Sequence, residues 1–342
     1  MKVFISVDME GTSGLERLEE IFRGLPGFDQ FRKLMAGDAN AVIRGAIAGG
    51  ADEVVVSDSH GYMCNIYPDD LVPGVQLKRG MRRQWCQMKG LDSSFDLALL
   101  VGYHAKAGST EAILAHTWIT GFRDVRVNGM SVPEPSLNTY LAGSFGVPVA
   151  MLSGDDYVIR EAAPVLGDDV EYAQVKRSTG FFSGDHLPLP ESRRLLTETA
   201  TRAVQTASGR KPVECELPVT IEVDLSPDPV EDAALAARVD DNQRFIDLPW
   251  EHELLSDVDL VLATHPRTTS PRKGTVAFES DNYPDAYQTL HSVLLEIYER
   301  DIENLIDVVA SPADYARPDL DELISGHSVT ETDVETTHTR VH

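Results

Sequence analysis

Several side chains able to hold a cation or move a proton stand at or just past the ends of short apolar runs: Asp8 and Glu10, Asp58 and His60, His104, His116 and Glu134. Asp8 and Glu10 are two apart, so on an extended chain both project from one face and can share a pair of cations. A lone Asp-x-Glu pair also describes a solvated strand end, and a single His closing a strand is commonly a hydrogen-bonded edge residue. Together they mean more. Imidazoles and carboxylates without thiolates are the donor set of zinc or a similar divalent ion, and a bridging carboxylate holds two ions about 3.5–4 Å apart. Two such ions polarise a carbonyl and lower the pKa of a shared water, so the expected chemistry is metal-assisted hydrolysis. Asp58, two before His60, has two readings: it orients His60 from behind, or it caps the strand end.

These residues need elements to bring them together. Lys2 to Val7 reads as a buried strand ending at Asp8, followed by Gly11-Thr-Ser-Gly14. Met35 to Ala51 has helical periodicity, and Glu53-Val-Val-Val-Ser57 is a second strand ending at Asp58-Ser59-His60. This is a β-α-β unit. Leu97 to Tyr103 is a third strand, ending at His104, and a further strand-like run ends near His116. Open α/β sheets bind ligands beyond the carboxyl ends of their strands, so topology and chemistry point to one place. Val125 to Val132 reads as a hairpin with Asn128-Gly129 as a type I′ turn, and Glu134 lies just past its second arm. Leu137 to Ala142 reads as a helix, and Pro148 to Leu152 as a strand ending in Gly154-Asp155-Asp156.

Beyond about residue 160 the chemistry thins to helices at Glu191 to Thr206 and Pro284 to Arg300 and strands at Val219 to Val223 and Leu260 to Thr264. The expected organisation is an α/β fold with a largely parallel central sheet flanked by helices and a smaller C-terminal α/β subdomain. Its limits are a metal-binding domain over 1–158, the subdomain over 159–324 and a flexible, apolar-poor tail over 325–342.

Composition narrows the partners. A formal charge of −25 repels polyphosphate, which excludes nucleic acid as a partner. No apolar stretch is long enough to cross a membrane and the first residues carry no signal-peptide pattern, so a cytoplasmic protein is expected. Cys64, Cys86 and Cys215 form no CxxC pair and read as structural thiols rather than zinc ligands.

The segments Ser6-Val-Asp8-Met-Glu10-Gly, Asp58-Ser59-His60-Gly and Gly102-Tyr103-His104-Ala, with His116 and Glu134, resemble the DppA-type D-aminopeptidases in order, spacing and local sequence. The similarity is close over about residues 1–160, including Lys89-Gly-Leu-Asp92, and weaker through Val175-Lys176 and Ala286-Tyr287. The resemblance implies two zinc ions per subunit: Asp8 bridges, Glu10 and His60 complete one ion, and His104 and Glu134 complete the other. It makes His116 the catalytic residue. It also implies release of D-amino acids from short peptides such as D-Ala-D-Ala, and a homo-oligomer in the form of a ring-shaped decamer. His116 has two readings, acid/base or nucleophile; acid/base needs no extra covalent intermediate. The alternative activity is that of a metal-dependent amidase acting on a non-peptide or modified amide. Pro133, where the family often has Gly, and Phe181, where it often has Arg after Gly, leave the ligands intact. They are expected to alter the approach of Glu134 and the shape or charge of the substrate pocket.

Overall fold

The computed structural model describes residues 1–23, 27–80, 84–119, 121–225, 268–269 and 275–295. Met1–Glu299 forms one compact unit; the second unit, Arg300–His342, lies outside the described residues, as does the expected tail.

The core of the unit is a sheet built from β1 (Lys2–Val7), β2 (Glu53–Asp58), β3 (Gln76–Lys78), β4 (Leu97–Tyr103), β7 (Val149–Asp155), β8 (Glu171–Gly180) and β9 (Ser183–His186), in the order β3-β2-β1-β4-β7-β8-β9. Every pairing is parallel except that of the edge strand β9 with β8. Parallel strands covered on both faces read as continuous apolar runs, and all seven residues of β4 are buried. Alternate residues feed two separate cores. Val3, Ile5, Val7, Leu97 and Leu99 join the cluster that includes residues of helices α2 (Phe28–Gly49) and α5 (Leu189–Gln205). Phe4, Ala98 and Leu100 join the other, with residues of α3 (Glu134–Ser144) and α4 (Asp156–Leu166).

A second, antiparallel sheet has the order β11-β12-β10-β5-β6, from β5 (Phe122–Val127), β6 (Met130–Ser131), β10 (Val219–Leu225), β11 (Thr268–Thr269) and β12 (Thr275–Ser280). The Asn-Gly hairpin expected at Val125 to Val132 is present, with Asn128 at φ 49° and Gly129 at φ 79°, as a type I′ turn requires. It belongs to this second sheet, where β5 pairs with β10. The helix over residues 283–295 follows β12, with Tyr287, Leu290 and Leu294 buried.

Three expectations change. The run ending near His116 is not a strand: residues 104–119 form a connection whose one bridge is Thr117 with Ile119. Leu114 at φ 51° and Trp118 at φ 57° break the extended alternation, and the backbone N–H groups of Ile113, Leu114 and His116 find partners in Ser178, Phe181 and Ala105 instead of a ladder. The helix expected from Leu137 starts at Glu134. The domain limit expected after residue 158 falls within one continuous sheet, because β8 pairs directly with β7 and the crossover α4 lies between them. The strand expected at Leu260 to Thr264 lies outside the described residues.

Candidate metal centre

Strand β1 has β2 on one side and β4 on the other, so the chain order reverses there and leaves a crevice at the carboxyl ends of these strands. Asp8 follows β1, its N–H bonded to Val101 O at 2.8 Å, and Gly11 N–H is bonded to Gly102 O at 2.8 Å. The loop after β1 therefore lies directly on the end of β4. A Cβ on Gly11 would stand 1.8 Å from Tyr103 O, and one on Gly102, which has φ +71°, 2.4 Å from Asp8 O. Only glycine allows that approach. Its result is His104 Nε2 3.5 Å from Asp8 Oδ2.

Each of the three histidines ties one ring nitrogen to a backbone carbonyl. His60 Nε2 lies 3.0 Å from Ile21 O, His104 Nδ1 2.9 Å from Ala105 O, and His116 Nδ1 2.8 Å from Leu114 O. In the neutral ring the tethered nitrogen carries the proton and the other nitrogen faces carboxylates bare, the form in which imidazole ligates a metal or accepts a proton. His60 Nδ1 lies 3.0 Å from Glu10 Oε2 and 3.7 Å from Asp8 Oδ1. His104 Nε2 lies 3.5 Å from Glu134 Oε1, and His116 Nε2 3.6 Å from Glu10 Oε1. The His104 and His116 rings stack at 4.1 Å with planes 3° apart. Glu134 is the first residue of α3, presented by Pro133 at φ −77°. Its Oε1 accepts from Trp118 N–H at 2.7 Å and its Oε2 from the Gln87 amide.

All six sequence-predicted site residues thus converge, as three overlapping groups: Asp8–Glu10–His60, Asp8–His104–Glu134 and Glu10–His104–His116. The donors fit zinc. Zinc bonds of about 2.0–2.1 Å to nitrogen and oxygen put tetrahedral donors ~3.3 Å apart, close to the 3.5 Å from His104 Nε2 to both Asp8 and Glu134. Among the described residues the buried Asp8 Oδ2 has no hydrogen-bond partner. An ion taken out of water costs several kcal/mol unless compensated, and three carboxylates here are buried together.

The charges strain against one another accordingly. Burial, then the neighbouring Glu10 charge, pushes Asp8 up to about 8. Burial opposes ionisation of Glu10 and Glu134 as well, but His60 beside the first and His104 beside the second hold both below the usual carboxylate range. Burial would lower His104, yet Glu134 raises it to about 10, and Glu10 likewise raises His60. His116 goes the other way: burial, then the charge of His104, lowers it.

Asp58 caps the strand end, accepting from the N–H groups of Asn65 and Ile66 at 2.5 and 2.7 Å, and it also holds the Asn65 amide that donates to His60 O at 2.7 Å, so it steadies the turn carrying His60. Phe181 O accepts from Leu114 N–H at 2.9 Å and so steadies the His116 connection. Sequence reasoning overlooked two supports. Gln87 is a lone amide in the apolar run Trp85 to Met88, and Lys176 breaks the alternation of β8 by being buried next to buried Val175. The Lys176 ammonium donates to Glu10 O, to Thr12 O at 3.1 Å and to Leu15 O at 2.6 Å, holding the loop that bears Glu10.

The model of the D-aminopeptidase family of peptidases matches residues 1–247. A D-aminopeptidase of Bacillus subtilis (strain 168) is 37% identical over 213 residues, covering 62% of this chain and 77% of that protein. Among solved structures, the Zn-dependent D-aminopeptidase DppA from Bacillus subtilis, a self-compartmentalizing protease, superimposes with a TM-score of 0.75 at 29% identity, covering 88% of this chain and 98% of that one. With a mostly parallel sheet in common and the family model spanning most of its length, this chain belongs to the D-aminopeptidase family and is a hydrolase of peptide bonds.

Proposed function

We propose that the chain is a binuclear zinc aminopeptidase that removes the N-terminal residue from short D-amino-acid peptides such as D-Ala-D-Ala. The observation that carries the two-ion reading is the placement of Asp8: its Oδ1 lies 3.7 Å from His60 Nδ1 and its Oδ2 3.5 Å from His104 Nε2. One carboxylate facing two histidines on opposite sides suits a bridge. Glu10 and His60 complete one ion, and His104 and Glu134 the other. A zinc pair supplies Lewis acidity toward the peptide carbonyl and activation of a water.

His116 moves the proton. Its Nδ1–H bond to Leu114 O leaves Nε2 as a bare acceptor, and its lowered pKa keeps it neutral near pH 7, ready to take a proton and return it to the leaving amine. The name of the solved relative supports an enclosing assembly, which in this reading is a ring-shaped decamer that admits only short peptides.

The test is metal analysis of protein purified without added metal, paired with D-Ala-D-Ala hydrolysis before and after chelation. Two zinc ions per chain and chelator-sensitive release of D-alanine are expected. A single ion, or turnover indifferent to chelation, would refute the reading; two zincs with turnover only of simple amides would move the substrate to that class.

A further inference from the structure

The Glu134 carboxylate is held from behind by a closed network of buried polar groups drawn from four elements. Gln87 Nε2 donates to Glu134 Oε2 and, at 3.4 Å, to Ser59 O. Gln87 Oε1 accepts from Asn138 Nδ2 at 2.8 Å, and the same nitrogen donates to the Tyr103 hydroxyl at 2.9 Å. Asn138 Oδ1 accepts from the Tyr287 hydroxyl at 2.7 Å. Tyr287 lies in the helix over residues 283–295, far along the chain from the strand-end ligands.

The donors and acceptors agree in polarity along this row. The ionised Glu134 carboxylate only accepts, so Gln87 must offer it N–H; Gln87 Oε1 then takes the Asn138 N–H, and Asn138 Oδ1 is left to accept from the Tyr287 hydroxyl, which completes the row. Glu134 Oε1 is left to face His104. The main chain of Gln87 is clamped too: its C=O accepts from Ser6 Oγ at 3.1 Å and from Ser59 Oγ at 2.8 Å. The turn bearing it holds Trp85 at φ 66° and Cys86 at φ 42°. Non-glycine residues persist in that left-handed region only where the surroundings over-determine them, and such places cluster at functional sites.

We infer that Gln87, braced through Asn138 by Tyr287, is a positioning residue that sets Glu134 for one ion of the pair, and so ties the helix over 283–295 to the affinity of that ion. The inference rests on the two-ion reading above. Partners behind a ligand commonly govern metal affinity by 10–100-fold. On the other side of Asp8, the His60 ring bonds to Glu10 and to Ile21 O, and among the described residues this row reaches that side only through Ser59, not through a ligand side chain.

Zinc titration of chelator-stripped protein, read by competition against a chromophoric chelator, tests it. The wild-type chain takes up two ions. In Gln87→Met one of the two binding steps weakens by about 10–100-fold while the other is unchanged, and the weakened step is the one removed by Glu134→Gln. Tyr287→Phe deletes only the hydroxyl, keeps the ring against Trp118, and weakens the same step by less. A merely structural role would lower the melting temperature of the metal-free protein without separating the two steps. Equal weakening of both steps in both variants, or of neither, overturns the inference. A wild-type chain that binds a single ion overturns the two-ion reading beneath it.

Discussion

On one side of Asp8 stand Glu10 and His60, on the other His104 and Glu134, and the two sides are supported by different chemistry. The Glu10 side is held by buried charge: the Lys176 ammonium gathers the carbonyls of Glu10, Thr12 and Leu15, and Asp38 accepts from Ser13 N–H at 2.9 Å in the same loop. The Glu134 side is held by neutral groups, the amides of Gln87 and Asn138 and the hydroxyls of Tyr103 and Tyr287. A neutral network keeps its geometry across pH, whereas a support built from ionisable groups responds to it. The two ions of one centre therefore answer to different perturbations.

The strongest way to break this comparison is to remove what the sides share. Asp8→Ala is expected to lose both ions and reduce turnover to background, measured by elemental analysis and D-alanine release. Retention of one tightly bound ion would show that the sides do not depend on a common ligand. Next comes His116, which stacks on His104 from one side and faces Glu10 on the other. His116→Ala is expected to keep both ions and lose about 10²–10⁴ in kcat, the usual share of acid/base catalysis. Loss of an ion along with the rate would instead make His116 a ligand of the group Glu10–His104–His116.

The sequence made the two sides unequally legible. Asp8, Glu10, His60 and His104 were readable because each closes or follows a short apolar run, and a parallel sheet collects such ends at one edge. Glu134 was readable from the hairpin ahead of it, although the sheet that receives the hairpin was not, since the partner strand β10 lies about ninety residues away. The connection carrying His116 looked like a strand because Ala112, Ile113, Leu114 and Ala115 are apolar; they are apolar because they are buried, not because they pair. Gln87 has no periodic signature at all. Its meaning lies in bonds to Glu134 and Asn138, 47 and 51 residues away, which exist only after the fold is made.

The smallest expected effect sharpens the difference in support. Burial raises Asp38 to about 6, against the pull of its Ser13 hydrogen bond and of the Arg193 and Lys176 charges. An ordinary unfolded carboxyl titrates near 4. Between those values the native chain holds a proton that the unfolded chain has lost, so the contribution of Asp38 to stability falls as pH rises from about 4 to about 6 and is level above that. Asp38→Asn keeps an acceptor for Ser13 N–H and removes the titration. Urea unfolding of metal-free protein should therefore show a stability difference that shifts in favour of the variant across this window, by at most ~3 kcal/mol at about 1.4 kcal/mol per pKa unit. Lys176, lowered by its burial to about 8, remains protonated there, so its pull on Asp38 is constant across the window and already contained in the value of about 6. Tyr287→Phe, measured alongside, removes a bond to the neutral Asn138 amide and should carry a stability difference with no dependence on pH in the same window. A flat difference for Asp38→Asn would mean that Lys176 and Arg193 hold Asp38 ionised throughout, and the Glu10 side would then be as indifferent to pH as the Glu134 side.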